Sequence, residues 1–200
     1  MKFVSIDIET TGLDSDACQV LEFAAVLVDT ELPFSRSNLP TFSAIVVHPE
    51  IHGDPAALAM NAELIKKIAD VLTPSGGIKP IAPFPEYCEP DEVAAEFRKW
   101  LTLNGVSKPT FAGKNVAGFD LPFLRKLVGW DSVGGHHRVL DPGSMYAQPK
   151  HEYVPGLREI MEMIPKSYLH DRGFYNLSPH KALDDALMVA IAVAYHWELS

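Results

Sequence analysis

The 200-residue chain has only two cysteines, no excess of positive charge and no apolar run long enough to cross a bilayer. Each shortage closes off a class of protein. Cys18 and Cys88 lie too far apart to make a metal-spaced pair and are too few for a disulfide framework, which points to a reducing compartment. Lys and Arg total 17 against 26 Asp and Glu, a net charge of −9, so the broad basic face that binds nucleic acid regardless of sequence is missing. The longest uncharged apolar stretch, Ala186 to Tyr195, falls well short of the roughly 20 residues that span a membrane. The opening MKFVSIDIETTG brings acids directly after a short apolar run and carries no small-residue cleavage pattern, so it does not read as a signal peptide. A soluble, cytoplasmic protein with no membrane partner is expected. Net acidity does not exclude an enzyme that handles a polyanion through bound cations, because carboxylates gathered around a metal count toward the negative total.

What is present suits a folded chain. An apolar content of 47% with 22% charged residues argues against disorder. Residues 1–200 read as a single domain without internal repeats. Phe3 to Glu9 alternates Val4, Ile6 and Ile8 with Ser5, Asp7 and Glu9, the period of a strand with one committed face, so Asp7 and Glu9 point the same way. Gln19 to Asp29 and Thr41 to His48 read as two further strands, and short connections make the three an antiparallel meander. Ala56 to Leu72 has helical spacing, with Asp54 as cap and Pro55 in the first turn. Pro74, Pro80, Pro83, Pro85 and Pro90 argue against regular structure between Thr73 and Pro90. Further helices are expected from Asp91 to a stop at Gly105, over Leu121 to Val128, over Gly156 to Ile164, and from a Ser178-Pro179 start to about Glu198. Pro109 to Ala112 and Arg138 to Leu140 supply two short strands, giving a mixed five-stranded α/β sheet flanked by helices.

Taken singly, each acid in the chain is most simply a solvated side chain. Asp7 and Glu9 resist that reading, because two acids on one face of an apolar strand repel unless a cation or a partner holds them. Asp120, Asp141 and the neighbours Asp184 and Asp185 also sit where a loop or helix end can present them. Here the sequence resembles a family. Asp7-Ile8-Glu9-Thr10-Thr11-Gly12 is similar to the first motif of DnaQ-like 3′-to-5′ exonucleases, which have a ribonuclease H-like fold. Asn115-Val116-Ala117-Gly118-Phe119-Asp120 resembles their second motif. His180-Lys181-Ala182-Leu183-Asp184-Asp185 resembles the third, in the form of the histidine-bearing DEDDh branch. The three occur in the family's order and span nearly the whole chain.

The resemblance implies two divalent cations, Mg²⁺ or Mn²⁺, held by carboxylate oxygen, the donor such hard ions prefer. It implies that Asp7 bridges both ions, that Glu9 and Asp185 complete the site activating a water, and that Asp120 holds the second ion. His180 would be the general base, a role suited to an imidazole titrating near working pH, and was expected in the first turn of the last helix. Helical projection does not separate Asp184 from Asp185, since the helix is apolar on most sides; the resemblance selects Asp185. It also implies that Thr10, Thr11, Gly12 and Leu13 meet the terminal nucleotide, with Leu13 against the last base, that Asn61 lines the nucleotide pocket, and that Asn115 orders the loop presenting Asp120. Glu22 reads as a partnered structural acid and the Gly134 to Arg138 run as a solvated loop. Lys66, Lys67, Arg98, Lys99, Lys114, Arg125 and Lys126 are scattered cations without a basic channel.

The expected activity is hydrolysis of single-stranded DNA or RNA from the 3′ end to nucleoside 5′-monophosphates. A free-standing enzyme is expected, with a proofreading subunit that meets a polymerase or replication partner as the alternative. The other readings are an RNA-trimming or oligoribonuclease-like enzyme and, from a different class, a catalytically inert nucleic-acid-binding module. Sugar preference and oligomeric state are not written in these motifs.

Overall fold

The computed structural model describes residues 1–72, 87–149 and 152–199. Its strands are β1 (Lys2–Thr10), β2 (Val20–Asp29), β3 (Thr41–Val46), β4 (Tyr87–Cys88) and β5 (Phe111–Ala112). The helices are α1 (Pro55–Met60), α2 (Ala62–Val71), α3 (Val93–Leu103), α4 (Asp120–Leu124), α5 (Pro142–Tyr146), α6 (Leu157–Met163), α7 (Lys166–Asp171) and α8 (Ala182–Glu198). The sheet order is β4-β3-β2-β1-β5; β1, β2 and β3 form the expected antiparallel meander, and the short edge strands β4 and β5 run parallel to their neighbours.

Alternation along β1 sorts the two sides of the sheet. Val4, Ile6 and Ile8 join Phe23, Phe42, Phe97, Phe111 and Trp130 in one buried cluster beneath α3 and α4. Phe3 and Ser5 face the other way, under α8, and Asp7 and Glu9 continue that face by strand periodicity. The approach of α8 is close because Ala182, Ala186, Ala190 and Ala194 recur every four residues along it, and all four are buried. Near the end of β1 the register slips: Glu9 opposes Glu22 but Thr10 opposes Val20, so Leu21 is an extra residue in β2. Such a bulge sharpens the local twist and re-aims neighbouring side chains.

Five expectations change. The helix expected over Ala56 to Leu72 is two helices broken at Asn61, and Asp54 occupies the cap position without making a side-chain capping bond. Arg138 to Leu140 is not a strand: only Leu140 bridges Ala112, and α5 begins two residues later. The fifth strand is instead Tyr87–Cys88, inside the stretch expected to be irregular, whose residues 73–86 lie outside the described residues. The last helix starts at Ala182 rather than Ser178-Pro179, and the helix expected over Leu121 to Val128 ends at Leu124. Gly105 does end α3 as expected, with φ +69, a conformation open to glycine at little steric cost.

Candidate active site

Strand β1 brings Asp7 and Glu9 to one face near its C-terminal end, and the first turn of α8 brings Asp185 against them. One oxygen from each of these three carboxylates lies within 4.8 Å of the others. Among the described residues this is the one group of three or more His, Cys, Asp or Glu side chains that meets closely enough to hold a metal ion, and His136 and His137 are not part of it. Their rings stack on each other, with centroids 4.5 Å apart.

Asp120 arrives by another route. β5 pairs with β1 only at Val4 and Ser5, and beyond that point the chain leaves the sheet through the 113–119 loop. The Ile8 N–H would be left without a strand partner, and the Asp120 carboxylate accepts it. Asp120 is the first residue of α4 and only 3% exposed, so an ionisable side chain is buried where it acts electrostatically on Asp7. The loop is shaped by Asn115, which has φ +57 and whose carbonyl accepts the N–H groups of Gly118 and Phe119. Asp141 clamps the loop's start: one oxygen accepts Asn115 N–H at 3.0 Å and the other caps α5 through Gly143 N–H at 2.8 Å.

So many acids in so little water raise one another's proton affinity. Burial, then Asp120, Asp185, Glu9 and Glu22, push Asp7 well above the ordinary carboxylate range. Burial, then Asp185 and Glu22, raise Glu9 to about 7, opposed by a hydrogen bond from Asn61. Burial and Asp141 raise Asp120 to about 7 against its backbone hydrogen bonds. Asp185 is raised chiefly by burial, against hydrogen bonds from the His180 and Lys181 backbone. A divalent cation is the charge this donor set lacks: the ligands are carboxylate oxygens alone, the chemistry that suits Mg²⁺ or Mn²⁺.

The remaining expected residues frame the acids unevenly. His180 is exposed, in the loop before α8 rather than in its first turn, with φ +64; its backbone N–H donates to Asp185 at 2.8 Å. The Asn61 amide reaches the Thr10 carbonyl at 3.1 Å and the Glu9 carboxylate from the break between α1 and α2. Thr10 and Thr11 are buried and their hydroxyls bond inside the turn, Thr10 to the Gly12 carbonyl and Thr11 from Gln19 N–H. Leu13, in contrast, is 81% exposed at the tip. A Cβ at Gly12 would lie 2.5 Å from both Asp54 Oδ2 and Cys18 Sγ, so any larger residue there displaces those side chains. Glu22, read from the sequence as structural, lies opposite Glu9 and accepts Ala182 N–H. Of the scattered cations, Lys66, Lys99 and Lys126 pair with Asp70, Glu96 and Asp16.

No family profile and no curated sequence matches the chain. Among solved structures it is similar to an Exonuclease I from Methylocaldum szegediense, with a TM-score of 0.62 over 99% of this chain at 15% identity. The fold is ribonuclease H-like. At that identity the likeness carries the architecture, a mixed five-stranded sheet flanked by helices, and the chain spans 40% of the length of that relative. No helix among the described residues is long and apolar enough to cross a membrane.

Proposed function

We propose that the chain is a metal-dependent 3′-to-5′ exonuclease that removes nucleoside 5′-monophosphates from single-stranded DNA or RNA. The observation that carries this reading is the convergence of Asp7, Glu9 and Asp185 from strand and helix, with the buried Asp120 near enough to raise the proton affinity of Asp7. In the proposed site Asp7, Glu9 and Asp185 would hold one divalent cation, and Asp120 with Asp7 would hold a second. Such a pair would supply a hydroxide-like nucleophile at neutral pH and neutralise charge on the leaving oxygen.

The protein's own residues do the rest. His180, at the exposed rim beside Asp185, takes the proton of the attacking water. The water oxygen bonds to phosphorus, the bond from phosphorus to the 3′ oxygen breaks, and that oxygen takes a proton from solvent water to become the new 3′ hydroxyl. Leu13, exposed at the tip of the turn, supports the terminal base, and the Asn61 amide holds the Glu9 carboxylate in place. The net charge of −9 favours a short 3′ end gripped at the cations over a long wrapped strand.

The test uses 5′-labelled single-stranded DNA and RNA of one sequence with Mg²⁺, Mn²⁺ or chelator. A descending ladder that disappears with chelator and in Asp7→Asn is expected. Internal fragments without a ladder would indicate an endonuclease, and binding without cleavage in either metal would indicate an inert module; both overturn the reading. A shorter ladder on RNA alone would assign the enzyme to RNA trimming.

A further inference from the structure

Helix α8 has an unusual start. Its N-cap residue is Lys181, whose side chain makes no capping bond, so the first N–H groups of a 17-residue helix lack a local side-chain acceptor at that position. The acceptor for Ala182 N–H comes from the sheet, 160 residues away in the chain: Glu22 Oε2 at 3.3 Å. A negative side chain at this end also complements the helix dipole. One turn further on, the Ser5 hydroxyl of β1 donates to the Ala186 carbonyl at 2.7 Å, in a fully buried contact. Ser5 lies on β1 and Glu22 on β2, and between them they reach both ends of the first five residues of α8.

These two bonds bracket Asp185. The first ties the backbone three residues before it to β2, and the second ties the residue directly after it to β1. Together they fix both the rotation of the first turn of α8 and its height above the sheet. Those two coordinates set where the Asp185 carboxylate stands relative to Asp7 and Glu9. Ser5 lies two residues before Asp7 on the same strand face, and Glu22 is the cross-strand partner of Glu9, so each anchor is built into the strand segment that carries one of the acids.

We infer that Ser5 and Glu22 are positioning residues, a two-point clamp that holds Asp185 at cation-binding distance from Asp7 and Glu9. The inference rests on the proposed reading of that acid group as a cation site. Glu22 acts through the Ala182 amide as a hydrogen-bond acceptor, and Ser5 through the Ala186 carbonyl as a donor.

The clamp is tested on the full chain by Mn²⁺ titration, followed through the paramagnetic resonance signal of the free ion, together with backbone amide exchange at residues 182–186. Glu22→Ala and Ser5→Ala are each expected to weaken Mn²⁺ binding about 10- to 100-fold, the usual cost of removing a group that orients a ligand, while Glu22→Gln stays within about threefold of the wild type. In the nuclease assay kcat falls and KM for the oligonucleotide does not move. Wild-type Mn²⁺ affinity in a folded Glu22→Ala protein overturns the clamp. Equal loss in Glu22→Gln and Glu22→Ala also overturns it, because charge and not the hydrogen bond would then be the agent. Glu22→Gln keeps the test open should either alanine variant fail to fold. If the wild-type protein binds no Mn²⁺, the cation reading fails, whereas exchange at Ala182 still judges the clamp: faster in Glu22→Ala than in Glu22→Gln supports it, and identical rates overturn it.

Discussion

Asp184 and Asp185 are adjacent in the chain and serve different partners. The Asp184 carboxylate accepts the Ser178 N–H at 3.1 Å and closes the loop before α8, whereas the Asp185 carboxylate accepts His180 N–H at 2.8 Å and meets Asp7 and Glu9. Asp184→Ala is therefore expected to cost about 1 kcal/mol of stability, a typical hydrogen bond, with turnover largely kept. Asp185→Asn should lower turnover by about 100-fold or more in a folded protein. Denaturant melts and steady-state kinetics on both variants check the division, and the reverse pattern would refute it.

The raised carboxylates make stability depend on pH in a stated direction. Glu9 and Asp120 reach about 7, and Asp7 and Asp185 are also raised, so without cations the folded state holds protons that the unfolded chain has already released. Their contribution is fully present below the ordinary carboxylate range and is lost as pH rises through about 7. Chelated protein should melt at a lower temperature at pH 8 than at pH 5, and Mn²⁺ at pH 8 should raise the melting temperature. Asp120→Asn should flatten the slope. A chelated protein more stable at pH 8 would count against the assignment.

Asn61 breaks a helix to reach the acids, and removing its amide has two separable effects. Asn61→Ala deletes the bond to the Thr10 carbonyl and the bond that lowers the proton affinity of Glu9. The expected result is a loss of about 1 to 3 kcal/mol, the range spanning neutral and charge-assisted bonds, and titration of Glu9 at a higher pH. Carbon-detected NMR of the Glu9 carboxyl in the metal-free protein reads the second effect directly. An unmoved titration would show that the bond is not made in solution.

Gly53 supports the turn after β1 from below. A Cβ on it would fall 2.2 Å from the Thr11 carbonyl oxygen, backbone that has no room to yield, while Asp54 N–H donates to that same oxygen at 2.8 Å. Gly53→Ala should destabilise the protein by about 1 to 3 kcal/mol, as overpacking does. It should also raise KM for the oligonucleotide by displacing Leu13, with Mn²⁺ affinity little changed. Wild-type KM in this variant would argue against substrate contact at the turn.

The strand that carries the first two acids was legible because period-two alternation needs only local sequence: Asp7 and Glu9 had to share a face once Val4, Ile6 and Ile8 were committed to the other. The start of α8 was not legible. Ser178-Pro179 has the local chemistry of a cap and first turn, but the chain there turns through a left-handed His180 while Asp184 and Asp185 take the Ser178 and His180 amides. The same holds at Asn61, where apolar spacing continues unbroken in sequence and the interruption comes with a bond to Thr10, 51 residues away. Tyr87–Cys88 is a strand only because β3 offers an edge to it. Glu22 read as merely structural because its partner amide lies at the far end of the chain.

The early departure of β5 from β1 leaves the sheet completed by a side chain: Asp120, not a strand, receives the Ile8 amide. One backbone proton is therefore shared between the architecture and the acid group. Protonating Asp120, drawing it toward a cation or replacing it would each alter the field at that proton. The Ile8 amide resonance thus offers a built-in gauge of the charge state of the site, readable in the intact protein without substrate.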